Sequence, residues 1–316
     1  AIFAKSSLDL ENIEAIYGTI EMARLIRKFP GLPDEAIDRL STAIKRTIIV
    51  TLEENVRFHC SGGQMHPTSS YLEFAKLIFD LNRDRPKQRA SVITFNYDIA
   101  LDYALFFMGI PADYCFGDGI GCTRFLKLHG SLNWAHCLEC HKITPWHMGH
   151  RFQAGRVYNC PADGHISLPM GSQITSMQLT CCNAPRVDPM PVLVPPTWNK
   201  TEYHASLQVV WKQAATELSE AERIYVCGYS MPESDMFFRY LYSLGSASRT
   251  RLRQFTVFDP DAGDVKRRYQ ELVGGGVRSQ FRYTRLKFTE MINDVRKELD
   301  LHETVKLDSD GFRGAP

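Results

Sequence analysis

The sequence lacks a long uncharged apolar run, an excess of charge of either sign and a secretion signal. None of its windows approaches the roughly 18 apolar residues needed to cross a bilayer, and residues 1–10 carry no basic start followed by an apolar stretch. The 37 Lys and Arg residues balance 36 Asp and Glu residues, so the formal net charge of +1 provides no overall field for nucleic acid or an acidic membrane surface. In a chain of 316 residues, these features predict an intracellular, cytoplasmic globular protein with one large domain or two ordinary ones.

The apolar pattern changes near residue 91. Before it, apolar residues recur at helical spacing, so residues 1–90 are predicted to form a helical N-terminal region. After it, short apolar runs alternate with helical stretches, which is typical of a parallel sheet covered by helices on both faces. The predicted strands are Ser91–Phe95, Arg124–Leu128, Val192–Val194, Ile224–Cys227 and Phe255–Phe258, and the predicted helices between them are Ile99–Met108, Glu202–Ala221, Ser234–Leu244 and Ala262–Val273.

The fold class predicted from this pattern is α/β, with a Rossmann-like parallel sheet that has helices on both faces. Residues 91–136 and 190–300 are expected to form this core. Residues 137–189 interrupt it with Gly, Pro, Cys and His, and are predicted to be a small inserted Cys-rich module. Residues 301–316 are expected to be a linker or a ragged C-terminus.

Polar or glycine-bearing segments follow four of the predicted strands. They begin at Asn96, His129, Gly228 and Asp259. Because the carboxyl ends of parallel strands meet at one edge of a sheet, we expect these segments to surround a nucleotide-like ligand. Each segment alone is weak evidence, since such residues leave strands in ordinary turns, and Asp98 could equally serve as the N-cap of the next helix.

Four strings in this region resemble the sirtuin-like NAD-consuming domains of bacterial anti-phage defence systems, over roughly residues 8–300. They are ITFNYD (Ile93–Asp98), KLHGSLNW (Lys127–Trp134), VPPTWNK (Val194–Lys200) and GYSMPESD (Gly228–Asp235). The resemblance implies that Asn96 and His129 are catalytic, the first by positioning ribose or water and the second as a base. It further implies that NAD is contacted by Asp98, Gly228, Tyr229, Ser230 and Asp259.

The activity that this resemblance implies first is NAD glycohydrolysis by the toxic effector of an abortive-infection system. The alternatives are an NAD-dependent protein deacylase and a non-enzymatic nucleotide-sensing scaffold subunit. Pro195 and Pro196 favour hydrolysis, since they lack the backbone donors with which an acylated peptide would pair as a strand. The implied partners are a second copy of the chain, a sensor such as an ATPase or an Argonaute-like protein, or both.

Direct nucleic-acid contact is not expected, because the basic residues near the C-terminus are interpreted as a solvated face. These residues are Arg249, Arg251, Arg253, Lys266, Arg267 and Arg268.

The sequence departs from the family pattern at its start. The family opens with a strand and a glycine-rich loop that cradles the NAD phosphates, and no such string is present. The run Gly274–Gly276 follows a predicted helix and is interpreted as a turn. Because the sequence begins with Ala1 and not Met, we expect the loop to lie upstream; the alternative is that the chain has lost it.

Nine cysteines are distributed unevenly, and this odd number without a secretion signal argues against a disulfide framework. The spacing of Cys137 and Cys140 allows two thiolates to bind one tetrahedral zinc ion. The other ligands are expected from Cys160, Cys181 and Cys182 or from the histidines at positions 136, 141, 147, 150 and 165. The resemblance implies a structural, zinc-ribbon-like site; the alternative is a ribbon that has lost its metal.

Overall fold

The computed structural model describes residues 12–84, 89–117, 123–148, 160–194, 201–232, 236–245, 250–261 and 263–301. Its helices are α1 (Ile13–Ile26), α2 (Asp34–Asn55), α3 (Ser69–Asp84), α4 (Ala100–Phe107), α5 (Thr201–Glu220), α6 (Met236–Gly245), α7 (Asp264–Leu272) and α8 (Phe288–Glu298). Its strands are β1 (Arg57–Ser61), β2 (Gln64–His66), β3 (Val92–Thr94), β4 (Ala112–Asp113), β5 (Thr123–Lys127), β6 (Trp134–His136), β7 (Ile143–Pro145), β8 (Asp163–Ser167), β9 (Arg223–Cys227), β10 (Gln254–Phe258) and β11 (Phe281–Thr284).

The α/β class is confirmed, and the described residues form two parallel sheets in place of the single predicted one. One sheet has the strand order β3-β5-β4 and the other β11-β10-β9. Both centre on a strand that is almost wholly buried, β5 or β10. At the carboxyl ends of β3 and β9, the rings of Phe95 and Tyr229 stack with centroids 4.2 Å apart. The ends of the two edge strands therefore lie side by side.

The predicted strand at Val192–Val194 is wrong. Leu193 forms an isolated bridge with Gly130, while the Val192 amide donates to the Trp134 carbonyl and the Val194 amide to the His129 carbonyl. This segment consequently packs across the loop that follows β5 instead of extending either parallel sheet. Its apolar character reflects complete burial against that loop.

The helical N-terminal region also contains a β-hairpin that the prediction missed. Strands β1 and β2 pair in antiparallel fashion around Gly62 and Gly63, whose φ angles of 57° and 77° favour glycine. Strand β8, from the predicted Cys-rich module, completes the sheet in the order β2-β1-β8. The buried Glu53 carboxylate of α2 also accepts the Gly171 amide at 2.7 Å, so hydrogen bonds join the module to the helical region at both β8 and Gly171.

A disulfide bond connects Cys60 in β1 to Cys160, with their Cα atoms 6.0 Å apart. The argument from cysteine count against disulfides was therefore wrong for this pair. It also removes Cys160 from the predicted metal ligands, because a sulfur in a disulfide offers no thiolate. The approach of two residues 100 positions apart depends on the β1–β8 pairing, which cysteine spacing does not encode.

Two large apolar clusters support these elements. The first lies between α3, α4, α5 and the parallel sheets, and includes Leu126, Val210 and Phe255. The second lies under the hairpin and the Cys-rich module, and includes Phe58 and Ile174. Among the described ranges, no helix has the length and apolar character that crossing a bilayer requires.

Replacing both Cys60 and Cys160 with Ser is expected to lower the free energy of unfolding by about 2–4 kcal/mol, because the bond restricts the unfolded chain over a long loop. Urea denaturation without reductant measures the change, and Cys115→Ser, which removes a free thiol, is the control. Adding reductant should bring the wild type to the stability of the double variant. Equal unfolding midpoints for wild type and double variant without reductant would contradict the bond.

Candidate active site and metal centre

A cavity of about 330 Å³ opens at the carboxyl ends of β3, β5 and β9. In the described part of the chain, six of the seven predicted catalytic and NAD-contacting residues line it, namely Asn96, Asp98, His129, Gly228, Tyr229 and Ser230. The other lining residues are Leu52, Phe95, Tyr97 and Pro232. Side chains from three strand ends thus meet around one volume.

The segment after β3 is held by short-range hydrogen bonds. The backbone amide of Asn96 donates to the Thr94 hydroxyl at 3.2 Å. At the start of α4, the Asp98 carboxylate accepts the backbone amide of Ala100 at 2.9 Å. Asp98 therefore has the helix-capping contact considered from the sequence while it also lines the cavity. Asn96 is exposed and Asp98 half-buried, so both remain accessible to a ligand.

Tyr71 of α3 lies beneath this segment, and its role was not predicted from the sequence. Burial is the main cause that raises the pKa of Tyr71 to about 12, and the charge of Asp98 raises it further. A hydrogen bond with the Asn96 side chain acts in the opposite direction and lowers this pKa. The Tyr71 hydroxyl therefore stays neutral at physiological pH and can position the side-chain amide of Asn96. Tyr71 belongs to an apolar stripe of a predicted helix, so it was interpreted as a core residue.

His129 follows β5 and is 3% exposed. Its ring lies edge-on to Phe95, with centroids 5.1 Å apart, and near Tyr97 at 5.9 Å. Gly130 has a φ of 87°, and a Cβ at this position would lie 2.0 Å from the Val192 carbonyl oxygen. Only glycine fits here, so the turn that places the imidazole is defined by backbone sterics.

The third wall is the loop Gly228–Ser230 after β9. Gly228 has a φ of 66°, and two side chains of α7 hold the carbonyls of the next residues. The Arg268 guanidinium donates to the Ser230 carbonyl at 2.8 Å, and the Tyr269 hydroxyl donates to the Tyr229 carbonyl at 2.8 Å. Arg268, interpreted from the sequence as part of a solvated face, instead positions this loop.

Asp259 follows β10, the strand that pairs with β9, and does not line the cavity. Its carboxylate accepts the Asp261 amide at 2.8 Å, and its own amide donates to the Thr284 carbonyl. Burial is the main cause that raises the pKa of the neighbouring Cys227 to about 11, and the charge of Asp259 adds to it. The predicted role of Asp259 near the adenine of NAD stays a prediction.

A buried ion pair beneath the cavity was also missed. Lys127, the last residue of β5, is 0% exposed, and its Nζ lies 2.8 Å from the Asp102 carboxylate of α4. The same ammonium donates to the Asp98 carbonyl. One cation thus connects the strand that leads to His129 with the segment that carries Asn96. A lysine inside an apolar strand and an aspartate inside an apolar helix were the sequence signals for this pair.

Polar side chains extend this pair into a buried network. The Tyr114 hydroxyl donates to Asp102 at 2.6 Å, and burial raises the pKa of Tyr114 well above its ordinary value. The Ser131 hydroxyl donates to the Asn133 amide oxygen at 2.6 Å, and the Asn133 amide nitrogen donates to the Trp146 carbonyl at 3.1 Å. The polar residues of KLHGSLNW around His129 therefore serve mainly to position the loop.

The candidate metal centre consists of Cys137, Cys140, Cys181 and Cys182, whose sulfurs lie within 4.8 Å of one another. The Cys137 and Cys182 sulfurs are 3.8 Å apart, and those of Cys140 and Cys181 are 3.5 Å apart. Four sulfurs at about 2.3 Å from a tetrahedral zinc ion would be about 3.8 Å apart. Both adjacent cysteines thus join the group, although the sequence left open whether one would pack elsewhere.

The protonation chemistry of this cluster suits a cation. Hydrogen bonding from the Cys140 amide is the main cause that lowers the pKa of Cys137 to about 6, which favours a thiolate. Burial raises the pKa of Cys181 to about 12 and also raises that of Cys182. A divalent ion would supply the positive charge that stabilises further thiolates, so these residues fit a structural zinc ion.

Parts of two motifs lie outside the described residues. These parts are 195–200 of VPPTWNK, with both prolines, and 233–235 of GYSMPESD. His150, one of the histidines considered as a zinc ligand, also lies outside. Of the others, His136 lies 3.9 Å from the Asp188 carboxylate, and His165 lies in β8.

No family model matches the chain, and no curated protein matches its sequence. Solved structures similar to it include a Sir2–p53 peptide–NAD+ complex, with 14% identity, coverage of 95% of this chain and 86% of that chain, and a TM-score of 0.39. Another is a mutant Sir2 homologue with ADP ribose, at 16% identity, 85% and 79% coverage, and a TM-score of 0.42. A third is Sir2Tm bound to a propionylated peptide, at 14% identity, 75% and 72% coverage, and a TM-score of 0.38. Similarity at this level does not assign an activity.

Lys127→Met is expected to lower the free energy of unfolding by about 3–5 kcal/mol, because it leaves the Asp102 carboxylate buried without its cation. The double variant Lys127→Met with Asp102→Leu should recover at least about 1 kcal/mol of that loss. Chemical denaturation measures both. Arg267→Met, which breaks an exposed pair with Glu271, is the control and should change stability little. A single variant as stable as the wild type would contradict the role of this pair.

Cys140→Ser is expected to reduce bound zinc from about one ion per chain to well below one and to lower the Tm, because a thiolate ligand is lost. Metal analysis of the purified protein measures the zinc content, and Cys227→Ser, outside the cluster, is the matched control. Full zinc occupancy in Cys140→Ser would show that the cluster is not the binding site.

Proposed function

We propose that the protein is an NAD glycohydrolase, which converts NAD and water to ADP-ribose, nicotinamide and a proton. The observation that carries the proposal is the convergence of Asn96, Asp98 and His129 on one cavity with the Gly228–Ser230 loop. These are the residues for which the motif resemblance implies contact with NAD. The cavity volume of about 330 Å³ falls in the range of small-molecule sites, about 300–1,000 Å³.

The chemistry of the cavity suits cleavage of the nicotinamide–ribose bond. As that bond breaks, its electron pair leaves with nicotinamide and positive charge develops on the ribose. The Asp98 carboxylate at the cavity wall can stabilise this charge. The stacked rings of Phe95 and Tyr229 provide an apolar wall that limits the water around it, which strengthens the interaction.

Asn96 and His129 supply the remaining functions. The side-chain amide of Asn96 can orient a water molecule at the anomeric carbon without adding a charge of its own. The His129 imidazole can accept the proton that this water releases as the new carbon–oxygen bond forms. Imidazole suits this step because its ordinary pKa of about 6.5 lies near neutral pH.

We further propose that this activity depletes cellular NAD as the effector of an anti-phage abortive-infection system. The support for this role is the combined resemblance of the four strings. An enzyme that consumes NAD in its own cell has to be inactive until infection, so regulation by self-association or by a sensor subunit belongs to the proposal. In infected cells, the variants described next should abolish the fall in NAD.

His129→Ala and Asn96→Ala are each expected to slow NAD hydrolysis by the purified protein by about 10²–10⁴-fold, the usual contribution of a positioned acid–base group. Chromatography of nicotinamide and ADP-ribose measures the rate. Asn293→Ala, at an exposed position of α8, is the matched control and should retain full activity. Circular dichroism checks that each variant is folded.

Two outcomes would contradict the proposal. NAD consumption only in the presence of an acylated peptide would indicate a deacylase. NAD binding without consumption, in the wild type and in the presence of its activating partner, would indicate a sensor subunit.

A further inference from the structure

Three histidines form a row across the antiparallel sheet β2-β1-β8. The strand register pairs His66 of β2 with His59 of β1, and it pairs His59 with His165 of β8. Directly opposed residues of an antiparallel sheet project from the same face, with their Cβ atoms about 5 Å apart. His59 therefore has an imidazole-bearing neighbour on each side.

This face of the sheet is turned toward solvent. The residues that alternate with the histidines, Phe58, Cys60 and Met65, are buried in the second apolar cluster. His59 and His165 are exposed, and His66 is half-buried. The buried face of the sheet packs on the second apolar cluster and is fixed by the Cys60–Cys160 bond. The imidazoles on the opposite face are therefore held in place, and an ion can approach them from solvent.

The spacing of the two exposed rings suits a shared metal ion. The ring centroids of His59 and His165 are 5.4 Å apart, and the ring planes are inclined by 59°. Two imidazoles that bind one tetrahedral ion through nitrogens at about 2.0–2.1 Å have centroids about 5 Å apart. The two rings thus have the required separation, and they belong to adjacent strands whose register fixes it.

The third histidine does not share the ion, and the nearby cation is held elsewhere. Among the described residues, only the four cysteines bring three or more potential metal-ligand atoms within 4.8 Å of one another. The His66 ring lies against Phe107, with centroids 5.6 Å apart, and its backbone is directly opposite that of His59. Arg57, a cation on the same face of β1, donates from Nε to the Glu54 carbonyl at the end of α2. The guanidinium is thereby bonded toward α2 and away from the row.

We propose that His59 and His165 bind a divalent transition-metal ion, at a site separate from the four-cysteine cluster. Neutral imidazoles prefer Zn²⁺, Ni²⁺ and Cu²⁺ over Mg²⁺ and Ca²⁺. His59 and His165 are the two protein ligands, and water completes the coordination. The site uses none of the residues that line the candidate active site, so it does not depend on the proposed NAD hydrolysis.

The test is a titration of the purified protein, with its cysteine cluster already loaded with zinc, by NiCl₂ in an isothermal titration calorimeter. We expect one further ion per chain for the wild type. His59→Gln should weaken this binding by about 100-fold or more and His165→Gln similarly, since loss of even an outer-shell partner costs about 10–100-fold. His66→Gln, on the same sheet but outside the pair, should change it little. His204→Gln, in α5, is the matched histidine control and should leave binding unchanged.

Cobalt spectroscopy separates this site from the cysteine cluster. A second equivalent of Co²⁺ bound by imidazoles should add weak visible bands without the intense thiolate-to-metal absorption that cobalt in the cysteine cluster produces. Binding of one further ion that is unchanged in His59→Gln, a second cobalt with thiolate absorption, or no further ion in the wild type would each overturn the proposal. Thermal unfolding shows that the variants remain folded.

Discussion

The candidate active site depends on the burial of one ammonium group. Lys127 ends a buried strand, and a cation there is tolerated only because the Asp102 carboxylate and the Asp98 carbonyl surround it. These contacts define how the segment that carries Asn96 approaches the strand that leads to His129. This buried ion pair therefore also helps to bring the two proposed catalytic side chains to the same cavity.

The remaining walls follow from backbone sterics and aromatic packing. Gly130 permits the turn after His129, because a side chain there would collide with the Val192 carbonyl. Across the cavity, stacking of Phe95 on Tyr229 joins the ends of β3 and β9, which belong to different sheets among the described residues. The candidate active site thus lies where two separately hydrogen-bonded sheets meet.

Much of the core after residue 91 could be predicted, because continuous apolar strands and amphipathic helices carry a local signal. Four of the five predicted strands and all four predicted helices are present, and three of the four polar strand ends meet at one cavity. Strand β11 and helix α8 were not predicted, and the other exceptions are long-range features. The segment Val192–Val194 is apolar because it packs across a loop, the hairpin around Gly62 is too short for a clear alternation, and the Cys60–Cys160 bond depends on strand pairing. Lys127 was overlooked because its partner is distant in sequence.

In the proposed mechanism, Asn96 and His129 act on one anomeric carbon. A crystal structure of the protein with ADP-ribose tests it most directly. We predict that the anomeric hydroxyl of the ribose lies within hydrogen-bond reach of both side chains, about 2.6–3.2 Å from each or through one water molecule. A ribose bound beside only one of them, or in a different cavity, would contradict the account.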